Sequence, residues 1–183
     1  MTLAEFVEFV RRQDLARPDV QALAEALRAF GRQRAEIVEL LERGVAQVNA
    51  YKASCYVLHF ESTFTVRLVE WPPGVADTTT VHTHSAPLIT YGLSGPGCQT
   101  LLHACDPEEL RVAQVGDSVG LGESFTNLLA PDTTFFYPTD SLAHAQCLPE
   151  RYSISLNLIL HAALTPQYFI NRETRRVTRI RAA

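Results

Sequence analysis

Hydrophobic positions in the first 50 residues recur at helical spacing. Apolar side chains stand three or four positions apart in three groups, namely Leu3, Phe6, Val7 and Val10, then Val20, Leu23, Leu27 and Phe30, then Ile37, Leu40, Leu41 and Val45. This period places the apolar residues on one face of an α-helix. Pro18 and Asp19 suit the first turn of the second helix, and Gly31 can end it. The pattern predicts two or three helices over residues 3 to 48.

After residue 50 the pattern changes to short β-branched and aromatic runs separated by clusters of Gly, Pro, Asp and Ser. The candidate strands are Cys55–Phe60, Thr63–Trp71, Thr79–His84, Leu88–Leu93, Cys98–Ala104, Val112–Val115, Ser124–Leu129, Thr134–Tyr137, His144–Cys147 and Ser153–Leu160. Many short strands with such breaks are typical of an antiparallel sandwich or jelly-roll β-barrel. We expect one mainly β domain, with a helical segment (residues 1–50) packed on a barrel (residues 51–183).

Composition narrows the partners that this chain can have. The 183 residues carry a net charge of −4, which gives no whole-chain electrostatic attraction to nucleic acid. No run approaches the roughly 18 consecutive apolar residues that would span a membrane, and the N-terminus lacks the pattern of a secretory signal. The four cysteines have no paired spacing, so we expect reduced thiols in a cytoplasmic protein.

The histidines provide the strongest candidate for chemistry. His82 and His84 form a His-x-His pair on a predicted strand, where alternate residues point to the same face. Two adjacent imidazoles suit neighbouring positions on one metal ion, and His144 opens a later run that can lie beside the first in an antiparallel sheet. Neutral imidazole binds Fe, Zn, Cu and Ni. Taken alone, the pair is equally compatible with surface histidines or with hydrogen-bonded core histidines.

The residues around these histidines resemble the two motifs of the cupin superfamily. The first motif (Gly, His-x-His, Glu, Gly) is matched by Gly74, His82-Thr83-His84 and Gly95. The second motif (Pro-x-Gly, His) is matched in part by Pro138-Thr139-Asp140 and His144. Leu88 or Ile89 stands where the motif has its glutamate ligand. The resemblance therefore implies a cupin barrel with a three-histidine metal centre that lacks a carboxylate.

Within the cupins, the chain is similar to the cysteine dioxygenase family of thiol dioxygenases, which also places helices before the barrel. Trp71-Pro72-Pro73-Gly74 precedes the His-x-His pair as a Trp-Gly turn does in that family, and Leu142-Ala143-His144 is followed by the matching run Ser155–Ile159. The resemblance implies an Fe(II) ion held by three neutral histidines, with an open face for substrate and O₂. Zn, Ni and Cu are the alternative metals.

Two departures from that family concern the substrate. The family's Ser-His-Tyr relay keeps Ser155, but Asn157 replaces the histidine and Ile159 the tyrosine. The family's Tyr-x-Arg pattern, whose arginine holds the substrate carboxylate, corresponds to Tyr56-Val57-Leu58, which has no arginine. We therefore predict a substrate other than cysteine.

Strand alternation extends the candidate site. If Trp71 faces inward, as its counterpart in the similar family does, Val69 and Arg67 share that face. A buried arginine needs a partner, which can be a substrate carboxylate or phosphate, or else an internal Asp or Glu. If the turn Ser85–Leu88 shifts the alternation by one residue, Tyr91 also faces inward, where it can position substrate or donate a proton. A core tyrosine with a hydrogen-bonded hydroxyl is the alternative.

The sequence indicates the roles of the other polar residues less closely. Asn157 on an apolar strand can orient a metal histidine. His59 and His103 are expected to be partly exposed strand residues, Tyr137 lies near the predicted mouth beside His144, and Cys147 is the cysteine closest to the site in sequence. The segment from Asn171 to Ala183 carries five arginines and one glutamate, which we interpret as a solvated tail or strand.

Three neutral imidazoles leave Fe(II) with its full double charge, which favours anionic ligands. We therefore predict a non-haem iron oxygenase or dioxygenase that uses O₂ on a small anionic substrate. A lyase, isomerase or dehydratase that uses the metal as a Lewis acid is one alternative. A cupin that binds a small molecule without turnover is another. A homodimer is a further expectation, because dimerisation is common among jelly-roll folds.

Overall fold

The structure is a computed structural model that describes residues 1–43, the backbone of 46–48, and residues 54–162 and 164–182. The N-terminal part contains helices α1 (Leu3–Arg11), α2 (Val20–Gly31) and α3 (Arg34–Arg43). Thr2 and Glu5 form a capping box at the start of α1, and Asp19 caps α2 by accepting a hydrogen bond from the Ala22 N–H. The predicted N-terminal helices are confirmed, although the helical prediction as far as residue 48 is too long, since 46–48 are extended.

The rest of the described chain is mostly β-strand. In order it contains β1 (Ala46–Val48), β2 (Ser54–Phe60), β3 (Phe64–Trp71), β4 (Thr80–His82), β5 (Leu88–Ser94), β6 (Cys98–Cys105), helix α4 (Pro107–Val112), β7 (Leu121–Leu129), β8 (Thr134–Tyr137), β9 (Leu142–Gln146), β10 (Ser153–Leu160), β11 (Gln167–Asn171) and β12 (Val177–Arg181). The predicted strand Val112–Val115 is wrong. Asp106 caps α4 and Pro107 occupies its first turn, so the chain is helical up to Val112.

These strands form two six-stranded antiparallel sheets. Their orders are β1-β2-β3-β10-β5-β8 and β12-β11-β4-β9-β6-β7. The eight strands from β3 to β10 are distributed between the sheets in the connectivity of a jelly roll. Among the described residues no strand pairing joins the two sheets, so the mainly β fold is confirmed while a closed barrel stays a prediction.

The N-terminal helices cover the outer face of the first sheet. Phe6 and Phe30 stack with ring centroids 5.6 Å apart, and they pack in one cluster with Leu156 and Leu158 of β10. Because strand residues alternate between faces, Ser155 and Asn157 of β10 point away from the helices, towards the second sheet. None of the described helices is both long and apolar enough to cross a membrane.

Candidate metal and substrate site

A cavity of about 330 Å³ lies between the two sheets. Its wall includes side chains from both sheets, among them His82, His84, His144, Arg67, Trp71, Asn157, Tyr137, Arg179 and Arg181. Among the residues that the structure describes, no aspartate or glutamate lines this cavity. The site is therefore built from neutral and cationic groups.

The pairing of β4 with β9 brings the three predicted metal histidines together. His82 and His144 are direct partners across these strands, and their ring centroids are 4.3 Å apart. His84, which follows the end of β4, has its ring 4.7 Å from His144 and 5.9 Å from His82. A cross-strand pair of this kind places two side chains on the same face of a sheet. The cluster thus arises from register as well as from the His-x-His spacing.

Burial keeps these imidazoles neutral. It lowers the pKa of His82 to about 4, with Arg179 and Arg181 adding to the effect, and lowers the pKa of His84 to about 3, with His82 and Arg67 adding. The pKa of His144 lies well below its usual value for the same first reason, because its ring is buried. Neutral imidazole is the form that binds a metal ion.

The three histidine rings lie together but do not converge on one point. His84 and His144 stack with an angle of 23° between their planes, and as the rings stand no group of three His, Cys, Asp or Glu side chains in the described part of the chain is arranged to hold a metal. The donor chemistry fits, because three neutral imidazoles lie together and the buried Nδ1 of His144 has no hydrogen-bond partner. Convergence on one ion therefore requires these rings to turn.

Arg67 projects into the same cavity from β3. It lies opposite Asn157 of β10 in the strand register and lines the wall with Trp71, as strand alternation indicates. Its Nε has no hydrogen-bond partner, and the ion pairs found among the described residues do not include Arg67. Burial lowers the pKa of this guanidinium, with Cys55 acting in the opposite direction. Within the described part of the chain, Arg67 is thus a cation without a carboxylate partner.

The prediction that Tyr91 faces the site is wrong. Leu88 and Thr90 line the cavity, so the even-numbered residues of β5 share the face of His84. Tyr91 is odd-numbered and therefore points to the opposite face of the strand. There the Tyr91 ring packs against Gly31 of α2, so closely that a Cβ at Gly31 would overlap it. The Tyr91 hydroxyl donates a hydrogen bond of 3.1 Å to Asp132. Tyr91 anchors a helix to the sheet.

Asn157 does line the cavity, but its contacts differ from the expected role. Its side chain is 2% exposed, lies between Arg67 and Thr90 on the neighbouring strands, and has a buried Oδ1 without a partner. None of the hydrogen bonds found in the described chain joins Asn157 to a histidine ring, so the predicted orienting role is not seen. The nearby Trp71 Nε1–H donates to Ser155 Oγ at 3.0 Å, which fixes the indole against the wall.

A polar network that the sequence patterns indicate only in part lies beside the histidines. The Tyr137 hydroxyl shares a hydrogen bond of 3.0 Å with Thr100, which donates to Gln146 at 3.2 Å. The Tyr137 ring centroid lies 5.1 Å from that of His144, and burial raises the pKa of Tyr137 to about 12. Alternation along β9 from His144 would have indicated Gln146. Thr100 lies on β6, and its place opposite Gln146 becomes known only from the register.

His59 and His103, and all of the cysteines except Cys98, lie outside the cavity wall. His59 contacts Glu61 at 3.2 Å, and His103 Nδ1 lies 2.9 Å from the Gly122 carbonyl oxygen; neither lines the cavity. Of the cysteines it is Cys98, not Cys147, whose side chain contributes to the cavity wall.

The arginine-rich C-terminal segment reaches the site. Residues 177–181 form β12, which pairs with β11 so that Arg179 lies opposite Phe169 and Arg181 opposite Gln167. The Arg179 guanidinium carbon lies 3.7 Å from the centroid of the Phe169 ring, which is a cation–π contact. All four of these side chains line the cavity. The segment is therefore a strand, and the expectation of solvent exposure also holds, because Arg179 and Arg181 are exposed while they line the cavity.

Comparison with known proteins gives distant likenesses of fold. No family model matches the chain. No curated protein matches it either. Among solved structures it is similar to the DMSP lyase DddQ from Ruegeria pomeroyi DSS-3 (17% identity, 76% of this chain and 67% of that chain, TM-score 0.48). It is also similar to an RmlC-like cupin from Shewanella frigidimarina NCIMB 400 (14% identity, 66% and 86%, TM-score 0.41). A third is the polyketide cyclase RemF from Streptomyces resistomycificus (13% identity, 78% and 81%, TM-score 0.43).

These likenesses are of fold alone, and at 13% to 17% identity they assign neither a reaction nor a substrate to this chain. The neighbours among solved structures thus include a cupin, while the narrower resemblance to the thiol dioxygenases stays a prediction.

Proposed function

We propose that this chain is a metal-dependent enzyme of the cupin type, in which His82, His84 and His144 hold one Fe(II) ion and a small anionic substrate reacts with O₂. The observation that carries the proposal is that one buried and two half-buried imidazoles share a cavity with Arg67, which has no ion pair and no lining carboxylate among the described residues. A thiol-dioxygenase-like centre with a substrate other than cysteine fits this set of residues.

A bound ferrous ion would supply an electron-rich centre with free coordination positions for substrate and O₂. The three neutral histidines hold it without reducing its charge, so the site favours an anionic ligand. Arg67 then binds the acidic group of the substrate through its planar guanidinium, which matches a carboxylate or phosphate bidentately. The free Oδ1 of Asn157 lies beside it and accepts a hydrogen bond from a substrate hydroxyl, amine or thiol group.

The rest of the wall controls water and orientation. Leu88, Leu129 and Phe169 provide apolar surface on different strands of the cavity. Such surface excludes water and strengthens the interaction of Arg67 with a bound anion. Tyr137 is held by Thr100, so its hydroxyl is fixed beside the histidine cluster and can hydrogen-bond to the reacting end of the substrate.

A Lewis-acid reaction without O₂ is the second candidate, and Tyr137 is the observation that favours it. A lyase, isomerase or dehydratase needs a group that moves a proton at the substrate, and a buried phenol beside the metal ligands is placed for that task. In that case the metal is zinc, nickel or another Lewis acid.

The decisive experiment is metal analysis of anaerobically purified protein, with His144→Ala compared with wild type. We expect about one iron per chain in wild type and loss of most of it in His144→Ala, because a three-ligand site does not survive removal of one ligand. His59→Ala is the matched control, since His59 contacts Glu61 outside the cavity.

Oxygen consumption then separates the candidates. Oxygen uptake by the iron-loaded protein on adding small carboxylic or thiol acids supports the oxygenase. Zinc or nickel with turnover that is independent of O₂ supports the Lewis-acid reaction. Full metal content in His144→Ala contradicts the three-histidine site, and wild type that takes up no metal contradicts both enzymes and leaves a small-molecule-binding protein.

A further inference from the structure

The arginines of the cavity come from opposite walls. Arg67 belongs to β3 of the first sheet, whereas Arg179 and Arg181 belong to β12 at the edge of the second sheet. They also lie near different histidines. The charge of Arg67 lowers the pKa of His84, whereas the charges of Arg179 and Arg181 lower the pKa of His82. The histidine cluster thus has cationic groups on two sides.

No protein carboxylate balances these charges in the described part of the chain. Arg67, Arg179 and Arg181 take part in none of the ion pairs found there, whereas Arg11 and Arg32 on the helices each pair with a carboxylate. The aromatic ring of Phe169 holds Arg179 against the cavity wall and leaves its N–H groups free to bind. Arg67 is half-buried, whereas Arg179 and Arg181 are exposed at the edge strand, so the cavity has one cation inside it and two at its solvent side. A bound anion is the group that can neutralise them.

We propose that Arg67 at one end and the Arg179–Arg181 pair at the other form a two-ended anion site, so that the ligand is a small molecule with an acidic group at each end. The inference rests on the proposed function of the same cavity, and it narrows the substrate class from an anion to a dianion, such as a short dicarboxylate. A cavity of about 330 Å³ suits a molecule of that size. The histidine cluster then faces the middle of the ligand.

The probes are matched pairs of acids that differ only in the second charge. Succinate is compared with butyrate, glutarate with valerate and adipate with hexanoate, by isothermal titration calorimetry in low-salt buffer without phosphate or sulfate. 3-Phosphonopropionate is included to distinguish a phosphate-type group from a carboxylate at one end. Each titration is done on metal-free and on iron-loaded protein, because the arginines are present in both.

We expect at least one dicarboxylate or the phosphonate to bind about tenfold or more tightly than its monocarboxylate partner, since each charge-assisted contact contributes on this scale. The double variant R179Q/R181Q should lose this preference and keep the affinity for the monocarboxylate. Arg67→Lys, which keeps the charge but not the planar fork, should weaken both members of each pair. Arg172→Gln is the matched control, because Arg172 belongs to the same segment but does not line the cavity.

Thermal unfolding of each variant checks that β12 remains folded, and R179K/R181K repeats the test if the glutamine variant does not fold. The inference is overturned if no dianion binds more tightly than its monoanion, or if R179Q/R181Q keeps the preference. A preference in metal-free protein together with no iron binding refutes the proposed enzyme while the two-ended site stands. Iron-dependent turnover of monoanions without any preference for dianions supports the proposed enzyme and refutes the two-ended site.

Discussion

Replacing Arg67 with methionine should stabilise the ligand-free protein while it weakens anion binding. The Arg67 guanidinium is partly buried, its Nε has no hydrogen-bond partner, and burial lowers its pKa. All three observations describe a charge that the folded protein holds at a cost in free energy. Methionine keeps the unbranched stem of the side chain and removes that charge.

The size of the effect follows from the position of the side chain. Replacing buried charged groups with apolar ones of similar volume is commonly neutral or stabilising by about 1–4 kcal/mol. Because Arg67 lies at the wall of a cavity and is not fully enclosed, we expect the lower end, about 1 kcal/mol. For a domain of this size, a change of about 1 kcal/mol raises the melting temperature by about 2–4 °C.

The assay is urea unfolding of metal-free protein in buffer without phosphate, sulfate or carboxylates, together with calorimetric melting. Arg11→Met is the control, because exposed Arg11 pairs with Glu8 and Glu61, and loss of exposed ion pairs should change stability little. Adding succinate should then stabilise wild type more than Arg67→Met. Destabilisation of Arg67→Met by about 1 kcal/mol or more would refute the reasoning, since it would mean that Arg67 has a structural partner.

Three further predictions concern the contact between α2 and the first sheet. Tyr91→Phe should lose about 1 kcal/mol of stability in urea unfolding and keep its metal content, because the hydroxyl bonds to Asp132 outside the cavity; reduced metal content would contradict this placement. Gly31→Ala should cost about 1–3 kcal/mol, since the added methyl group overlaps the Tyr91 ring, and unchanged stability would contradict that contact. The hydrogen bond from Arg32 holds the pKa of Asp132 below its ordinary value of 3.8, and Tyr91 and Arg28 add to this effect. The carboxylate therefore contributes stability above about pH 4, and this stability is lost as the pH falls through the lowered pKa. Wild type should therefore be more stable than Asp132→Asn at pH 6 and equal to it near pH 2, and a difference that persists at pH 2 would show another cause.

Local sequence patterns predicted correctly the helices and the side-chain directions that depend on a single helix or strand. The helical period predicts α1 to α3, and alternation along β3 places Arg67 and Trp71 on one face. The His-x-His spacing and the resemblance to the cupins indicated which third histidine to expect. For the helices and for β3 the required information lies within a short run of residues, where the geometry of the helix or strand fixes the direction of the side chains. The third histidine depended instead on the resemblance.

The errors arose where the result depends on a turn or on a partner strand. One residue more or less in the turn after His84 moves Tyr91 to the other face of β5, and composition does not fix that number. Arg179 and Arg181 are exposed, as a solvated segment would be, and only the pairing of β12 with β11 shows that they also line the cavity. Thr100 is likewise placed beside Tyr137 by register across the second sheet.

The distribution of apolar residues explains how this fold holds a polar interior. In an ordinary sandwich the space between the sheets is the hydrophobic core. Here the largest apolar cluster instead lies between the helices and the outer face of the first sheet, where Phe30, Leu156 and Leu158 are fully buried. A second cluster, which includes Val81 and Ile170, lies on the outer face of the second sheet. Because these two outer cores supply the apolar burial, the space between the sheets can contain arginine, amide and imidazole groups, which is the arrangement that a binding or catalytic site requires.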